Sequence, residues 1–304
     1  MKTLVVGGTG MVGAHIAELL ARHGHTVSVM SRSVGTEPSP VRIAGMPQIT
    51  GDYLSGISQL VLESFDTVVF SAGQDIRHVE PERDTAEVWA EIQGRAVTAF
   101  AEASRQAGVS RFIQIGSYYH YLFPEWAEHI PYVAGRKIAD EGARTLTTGD
   151  FGAITLNPPS IVGAIPGVSL RRFGRMFSWL KGERAEEVFA PPGGTNYMSA
   201  DAFAEAALGA IERGEPGKAY LVGGENLSYQ EFFQMIAEVA GSDITVSERD
   251  EECPYLPDRF IVQGRGRVIS YDPPEGERLL LGYPTGDVRL ALEDIYRRVV
   301  AQAP

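Results

Sequence analysis

The sequence predicts an α/β protein: a doubly wound parallel sheet, with a smaller, mostly helical C-terminal lobe. Three observations carry this. Short apolar runs alternate with helix-length segments through the first half of the chain. A glycine-rich turn joins the first run to the first helix. After about residue 164 the periodicity loosens and amphipathic helices dominate. Strands separated by helix-length segments need crossover connections, which produce parallel sheets with helices on both faces.

The elements read in order as follows. TLVVG (3–7) is a buried strand, MVGAHIAELLARHG (11–24) a helix and TVSVMSR (26–32) a second strand. PQITGD (47–52) is a weaker third strand, followed by the apolar-patterned 57–65. TVVFSAG (67–73) is a fourth, and a long helix over 85–108 leads to RFIQIGS (111–117). Residues 131–148 read as another helix and 152–163 as a sixth strand with its loop. Runs of Val, Ile and Leu without polar alternation suit strands buried on both faces. Further on, 168–183 reads as a mobile or partly helical insert. A turn and helix fill 191–214, with Ser199 or Asp201 as cap. A strand at 218–224 and amphipathic helices at 228–241 and 286–302 complete the chain. The expected division is a dinucleotide-binding domain over 1–164 and 197–222, and a substrate lobe over 165–196 and 223–304.

The bulk numbers exclude several function classes. A chain of 304 residues can bury a large core. Its formal net charge of −12 disfavours nucleic acid or an anionic membrane as the main partner. The single cysteine, Cys253, forms no intrachain disulfide, and six scattered histidines form no tight metal cluster, so no metal is expected. No apolar run reaches the roughly 18–20 residues of a membrane span. The N-terminus enters a strand directly, so no leader is expected, and the lone cysteine fits the expected cytoplasmic location.

The sharpest motif is GGTGMVG, which places Gly7, Gly10 and Gly13 between a strand and a helix. Glycines there let backbone approach a pyrophosphate, and the helix N-terminus offers free N–H groups and a positive dipole end. Thr9, Met11 and Val12 complete the expected phosphate turn. The second strand ends in Ser31 and Arg32, where an acidic residue would select NAD; an arginine can instead meet a 2′-phosphate, which favours NADP over NAD. Asp52 is placed to reach an adenine amino group, and Ser71, Ala72 and Gly73 end the fourth strand at the ligand-collecting edge of the sheet.

With these motifs on view, the chain resembles the short-chain dehydrogenase/reductase superfamily in its extended or atypical branch. It looks like the epimerase/dehydratase and dihydroflavonol-reductase-like members, which have a Rossmann domain. RFIQIGS is similar to the strand ending in the family serine, AGRKIADEGAR to the catalytic helix, and LNPPSIVG to the segment beside the nicotinamide, here carrying Pro158 and Ser160. NYMSADAFAEA and LGYPTGDV resemble later family elements. The resemblance implies Ser117 as the oxygen-binding serine and Lys137 as the lysine that supports a helix tyrosine and holds the nicotinamide ribose. It also implies Glu91 in a position where the family often has a relay asparagine.

The tyrosine is out of step. Tyr132 precedes Lys137 by five residues, whereas positions i and i+4 share a helix face. Either Tyr132 lies in an irregular first turn after Pro131 and still points inward, or it faces elsewhere and pairs with Arg136. The aromatic run Tyr118, Tyr119, His120 and Tyr121 either lines the pocket or supplies the missing acid. A desolvated Lys137 acting alone is a third route. In the second lobe Arg171, Arg172, Phe173, Arg175, Met176, Phe177 and Trp179 form either a substrate clamp or a basic surface turn, and Tyr197 resembles a family position near the substrate. Cys253 reads as packing.

The expectation is therefore an NADP(H)-dependent oxidoreductase acting on a carbonyl or alcohol of a small organic molecule. A nucleotide-sugar epimerase or dehydratase and a non-catalytic NADP-binding sensor are the alternatives. Dimerisation through 85–108 and 131–148 is what the resemblance implies for partners.

Overall fold

The computed structural model describes residues 1–32, 41–73 and 75–301. They form two compact units. The first lies within Met1–Pro158, Phe203–Val222 and Pro273–Tyr283; the second holds Pro159–Ala202, Gly223–Asp272 and the residues from Pro284 on.

Seven strands build the sheet of the first unit: β1 (Lys2–Val6), β2 (Thr26–Ser31), β3 (Gln48–Thr50), β4 (Thr67–Phe70), β5 (Arg111–Ile115), β6 (Gly152–Asn157) and β7 (Ala219–Leu221). Their order is β7-β6-β5-β4-β1-β2-β3, and every pairing is parallel. Every residue of β4 and β6 is buried, as a sheet covered on both faces requires. From β1 the chain winds outward to β2 and β3, then returns to lay β4, β5, β6 and β7 on the other side. The direction reverses between β1 and β4. In such a sheet, ligands bind outside the carboxyl ends of the strands at this reversal.

One face of the sheet carries an apolar core of Leu4, Val68, Phe70, Phe112 and Phe151, packed with Val97, Phe100, Ala139 and Ala143 from two helices. Burying each large side chain contributes roughly 1.5–3 kcal/mol. The helices are the run 86–106 and Pro131–Thr145. The first begins at Thr85, whose hydroxyl accepts the Val88 N–H at 3.3 Å, and contains a π-helical stretch, Ala90–Arg95. The two helices pack closely: a Cβ on Gly135 would lie 2.8 Å from the Trp89 carbonyl oxygen.

The second unit has its own core, with Met176, Phe177, Trp179, Leu180, Phe233, Ile236 and Ile295. Its strands Ser160–Val162, Gly194–Ser199 and Glu225–Ser228 form a three-stranded sheet, and Phe189–Ala190 pairs with Ser247–Glu248. The stretch expected as a mobile or partly helical insert is a regular helix, Val168–Leu180. Its apolar positions recur at helical spacing and enter the core, while Arg171, Arg172 and Arg175 stay exposed. The helix Tyr229–Val239 starts at a capping box between Ser228 and Glu231.

The unit boundaries differ from those expected at three places. Residues 159–164 belong to the second unit, where Ser160–Val162 pairs with Gly194–Ser199. Residues 197–202 stay with the second unit, because Gly194–Ser199 pairs with both neighbouring strands of its sheet. Residues 273–283 join the first unit. Arg213 Nε donates to the Leu280 carbonyl at 2.7 Å, and Lys218 pairs with Glu277 at 2.9 Å.

Candidate functional site

The glycine turn sits at the reversal point. Gly7 has φ +80°, which only glycine adopts without strain, and its backbone lies against the end of β4: a Cβ there would be 2.7 Å from the Ala72 nitrogen. Gly13 leaves room for the Gly7 carbonyl and for Ser71 Oγ, 2.6 Å from where a Cβ would stand. Ser71 fixes the crossing by donating its N–H and its hydroxyl to the Val6 carbonyl, at 2.9 and 3.0 Å. The helix Met11–Arg22 starts at Gly10, and no side chain caps it. Its first N–H groups thus remain unused by side chains, and Thr9, Gly10, Met11 and Val12 are half-buried or exposed. These residues fit a pyrophosphate: the turn is a cradle that any Cβ at Gly7 or Gly13 would fill.

At the end of β2, Ser31 is half-buried and Arg32 exposed. The Ser31 carbonyl accepts the Gly51 N–H at 2.9 Å. Asp52 turns back on its own loop, Oδ1 accepting the Leu54 N–H at 3.0 Å. Beside it, Tyr53 donates its hydroxyl to the Ile92 carbonyl at 2.8 Å. Burial pushes that phenol up to about 12, against the opposing charges of Arg136 and Arg32.

At the end of β5 the chain does not run on as a strand to Ser117. The strand stops at Ile115, and Ser117 opens a short helix, Tyr118–Leu122. Ser117 donates its N–H to Asn157 Oδ1 at 3.0 Å, and Tyr118 donates its N–H to the Pro158 carbonyl at 3.2 Å. The end of β6 thereby sets the Ser117 backbone. Asn157 Nδ2 is buried without a partner among the described residues.

The aromatic run divides by position. The Tyr118 and Tyr119 rings lie 4.2 Å apart between centroids, tilted by 35°, and the Tyr119 ring lies 6.3 Å from Tyr132. Tyr121 is exposed. His120 is buried, with Nε2 2.9 Å from Asp140 Oδ2. Asp140 also accepts from Arg144 Nε at 2.5 Å. Burial alone would raise the Asp140 carboxyl, but the bonds from His120 and Arg144 outweigh it and hold the group at about 2. His120 and Asp140 thus tie the short helix to Pro131–Thr145.

That longer helix answers the question of spacing. Pro131 is its first residue, so Tyr132 sits in the first turn, and the residue one turn on is Arg136. Tyr132 is buried, edge-on to Trp89 at 5.0 Å. The Arg136 guanidinium lies over the Tyr132 ring, 5.3 Å from its centroid. Arg136 Nη1 donates to the Ile115 carbonyl at 3.3 Å, and lies 3.6 Å from where a Gly73 Cβ would be. Its Nε is buried without a partner among the described residues. Its charge also reaches Asp75: burial would raise that carboxyl, but the Arg77 ion pair at 2.6 Å and the charge of Arg136 hold it below the ordinary range.

Lys137 is placed differently from the expectation. It points to the surface and pairs with Glu141 at 2.5 Å, with 35% of its side chain exposed. The physical reason is the helix register: one residue past Arg136 is rotated about 100° around the axis. Glu91 also differs. It pairs with Arg95 at 2.7 Å on the surface, whereas Gln93 is buried, its Nε2 3.2 Å from the Gly73 Cβ position.

In the second unit, Ser160 pairs in register with Tyr197, and the Tyr197 ring stacks on Phe232 at 4.2 Å. Arg172 is exposed. The expected clamp loses its apolar half, because Met176, Phe177 and Trp179 belong to the core. Cys253 is buried, and burial pushes its thiol up, as suits a packing residue. Among the described residues there is no group of three metal-binding side chains, and no helix long and apolar enough to cross a membrane.

The glycine turn lies at the sheet's reversal, where sheets of this kind bind ligands, and Ser117 and the helix Pro131–Thr145 follow β5. A family model described as NAD dependent epimerase/dehydratase family matches residues 3–223. This chain belongs to that family. No curated protein matches its sequence. Among solved structures, gox2253 is similar over 100% of this chain and 99% of its own, at 20% identity and a TM-score of 0.75. The UDP-N-acetylglucosamine 4-epimerase of Methanobrevibacter ruminantium, in complex with UDP-N-acetylmuramic acid, is similar over 99% of both chains, at 15% identity and a TM-score of 0.75. The UDP-glucuronic acid 4-epimerase of Bacillus cereus, in complex with NAD, covers 98% of this chain and 99% of its own, at 15% identity and a TM-score of 0.71. At these identities the likeness shows the fold.

For this epimerase/dehydratase family member, sequence reasoning named Arg136 only as an alternative partner of Tyr132, and did not mark Gln93 or Asn157. The four-residue step from Tyr132 was the available signal for Arg136. Nothing local marks Gln93, which lies buried within the π-helical stretch.

Proposed function

We propose that this chain is a nicotinamide-dinucleotide-dependent enzyme of the epimerase/dehydratase type, acting on a hydroxyl-bearing carbon of a nucleotide sugar. The observation that carries the reading is a continuous path at one sheet edge: Gly7 against Ala72, then Gly73 beside Arg136, then Arg136 over Tyr132. The family match and the UDP-sugars named for similar structures support sugar chemistry over the ketone-reductase reading.

Gly7, Thr9, Gly10, Met11, Val12 and Gly13 would hold the pyrophosphate, and Ser71, Ala72 and Gly73 would border the dinucleotide. The bound dinucleotide would supply reversible hydride acceptance. The chain's own residues would handle the proton and the oxygen. Tyr132 would take the hydroxyl proton as the carbon is oxidised and return it on reduction. Ser117 would hydrogen-bond the same oxygen, held in place by Asn157 through its backbone. Arg32 would meet a 2′-phosphate, so NADP is the preferred form in this reading.

The test is to incubate the purified chain, with NAD or NADP, with UDP-glucose, UDP-N-acetylglucosamine and UDP-glucuronic acid, and to follow the anomeric and C4 protons by NMR. Inversion at C4 or loss of water supports the reading. Turnover of simple carbonyls by NADPH alone would restore the reductase reading. Dinucleotide binding without turnover on either panel would favour a sensor.

A further inference from the structure

We propose that Arg136, not Lys137, is the cation that grips the sugar oxygens of the bound dinucleotide beside Tyr132. The inference rests on the dinucleotide reading above and adds to it the residue that does the gripping.

A guanidinium carries five N–H donors and no acceptor. In Arg136, Nη1 donates to the Ile115 carbonyl at 3.3 Å, while Nε is buried without a partner among the described residues. Leaving a buried charged donor unsatisfied is costly, so such a group points to an acceptor that arrives with a ligand. The position agrees. Ile115 ends β5, Gly73 follows β4, and both lie at the carboxyl edge where this sheet type binds ligands. Gly73 has no side chain to fill the space beside Arg136. Tyr132, one turn earlier on the same helix, lies under the guanidinium. A planar fork suits two neighbouring hydroxyl oxygens, such as a ribose diol, better than a point charge does. Lys137 meets none of these conditions, because it is paired with Glu141 at the surface.

The experiment is calorimetric titration of NAD and NADP into the full chain and three variants. Arg136→Met is expected to weaken the preferred dinucleotide about tenfold or more, the scale of one charge-assisted bond. Arg136→Lys should recover part of the loss, and Lys137→Met should stay within about twofold of the parent. A further variant, Arg136→Ala, is titrated with and without ethylguanidine. Recovery of affinity by the added guanidinium supports a direct grip, which a packing role would not show. Parent-like affinity in Arg136→Met, or a large loss in Lys137→Met alone, overturns the proposal while the dinucleotide reading stands. A parent chain that binds neither dinucleotide overturns both. Should Arg136→Met fail to fold, the rescue of Arg136→Ala and the affinity of Arg136→Lys decide between the outcomes.

Discussion

Arg136 stands one helical turn after Tyr132 and lays its guanidinium over the phenol ring, 5.3 Å from the centroid. The pair links an aromatic cluster, buried Trp89 and half-buried Tyr119, to the carboxyl ends of β4 and β5. It gives the helix the one-turn spacing that Tyr132 and Lys137 lack.

Tyr132→Phe keeps the ring against Trp89 and removes only the hydroxyl. Turnover on the accepted sugar nucleotide is expected to fall roughly 10²–10⁴-fold, the range for a positioned acid or base. The melting temperature should stay within a few degrees. A variant with parent-like turnover would move the proton role to another residue.

Asp140 predicts an acid-sensitive anchor. Its carboxyl is held at about 2, well below the ordinary aspartate range; burial opposes this, and the bonds from His120 and Arg144 prevail. A carboxyl lowered in the folded state stabilises above its unfolded value and loses that contribution as pH falls through the folded one. The contribution is roughly 2 kcal/mol at neutral pH, vanishing between about pH 4 and pH 2. Urea unfolding of the parent and of Asp140→Asn should differ most at pH 7 and converge near pH 2. A constant gap across that window would show that the charge is not what anchors the helix.

Arg32→Glu tests cofactor choice. Removing the cation and adding an acid at the end of β2 should lower the NADP-to-NAD affinity ratio by about tenfold or more. Titration of both dinucleotides into one preparation reads the ratio directly. An unchanged ratio would place the choice elsewhere.

Gly13→Ala would press a methyl group against the Gly7 carbonyl and Ser71 Oγ. Overpacking of this kind costs roughly 1–3 kcal/mol. Thermal melting should show that loss, together with weaker dinucleotide binding because the turn must shift. Gly24→Ala is a poor control despite its open space, since its φ of +82° adds strain. Gly149→Ala, with open space and an ordinary φ, is the better one.

Much of the first unit was legible in order along the chain. Strand and helix periodicity, and a glycine turn between β1 and its helix, are short-range signals: each depends on backbone sterics and burial within a few residues. Ser117 was named only through the resemblance of RFIQIGS to a family strand; that it lies past the strand end at Ile115 is what the structure adds. The helix Val168–Leu180 was harder, because its mixed basic and aromatic positions become a periodic face only when a core exists to receive them.

By itself the sequence determined the parallel α/β class, the glycine turn after β1 and the presence of a tyrosine helix. The tertiary structure alone decided which cation lies against that tyrosine. Arg136 and Lys137 are neighbours in sequence, but the helix starts at Pro131, and its packing on the run 86–106 orients its faces. One of the two then reaches the sheet edge through Ile115, and the other reaches Glu141 at the surface. A rotation of about 100° per residue separates a side chain at the sheet edge from a solvated one, and only long-range packing sets where that rotation begins.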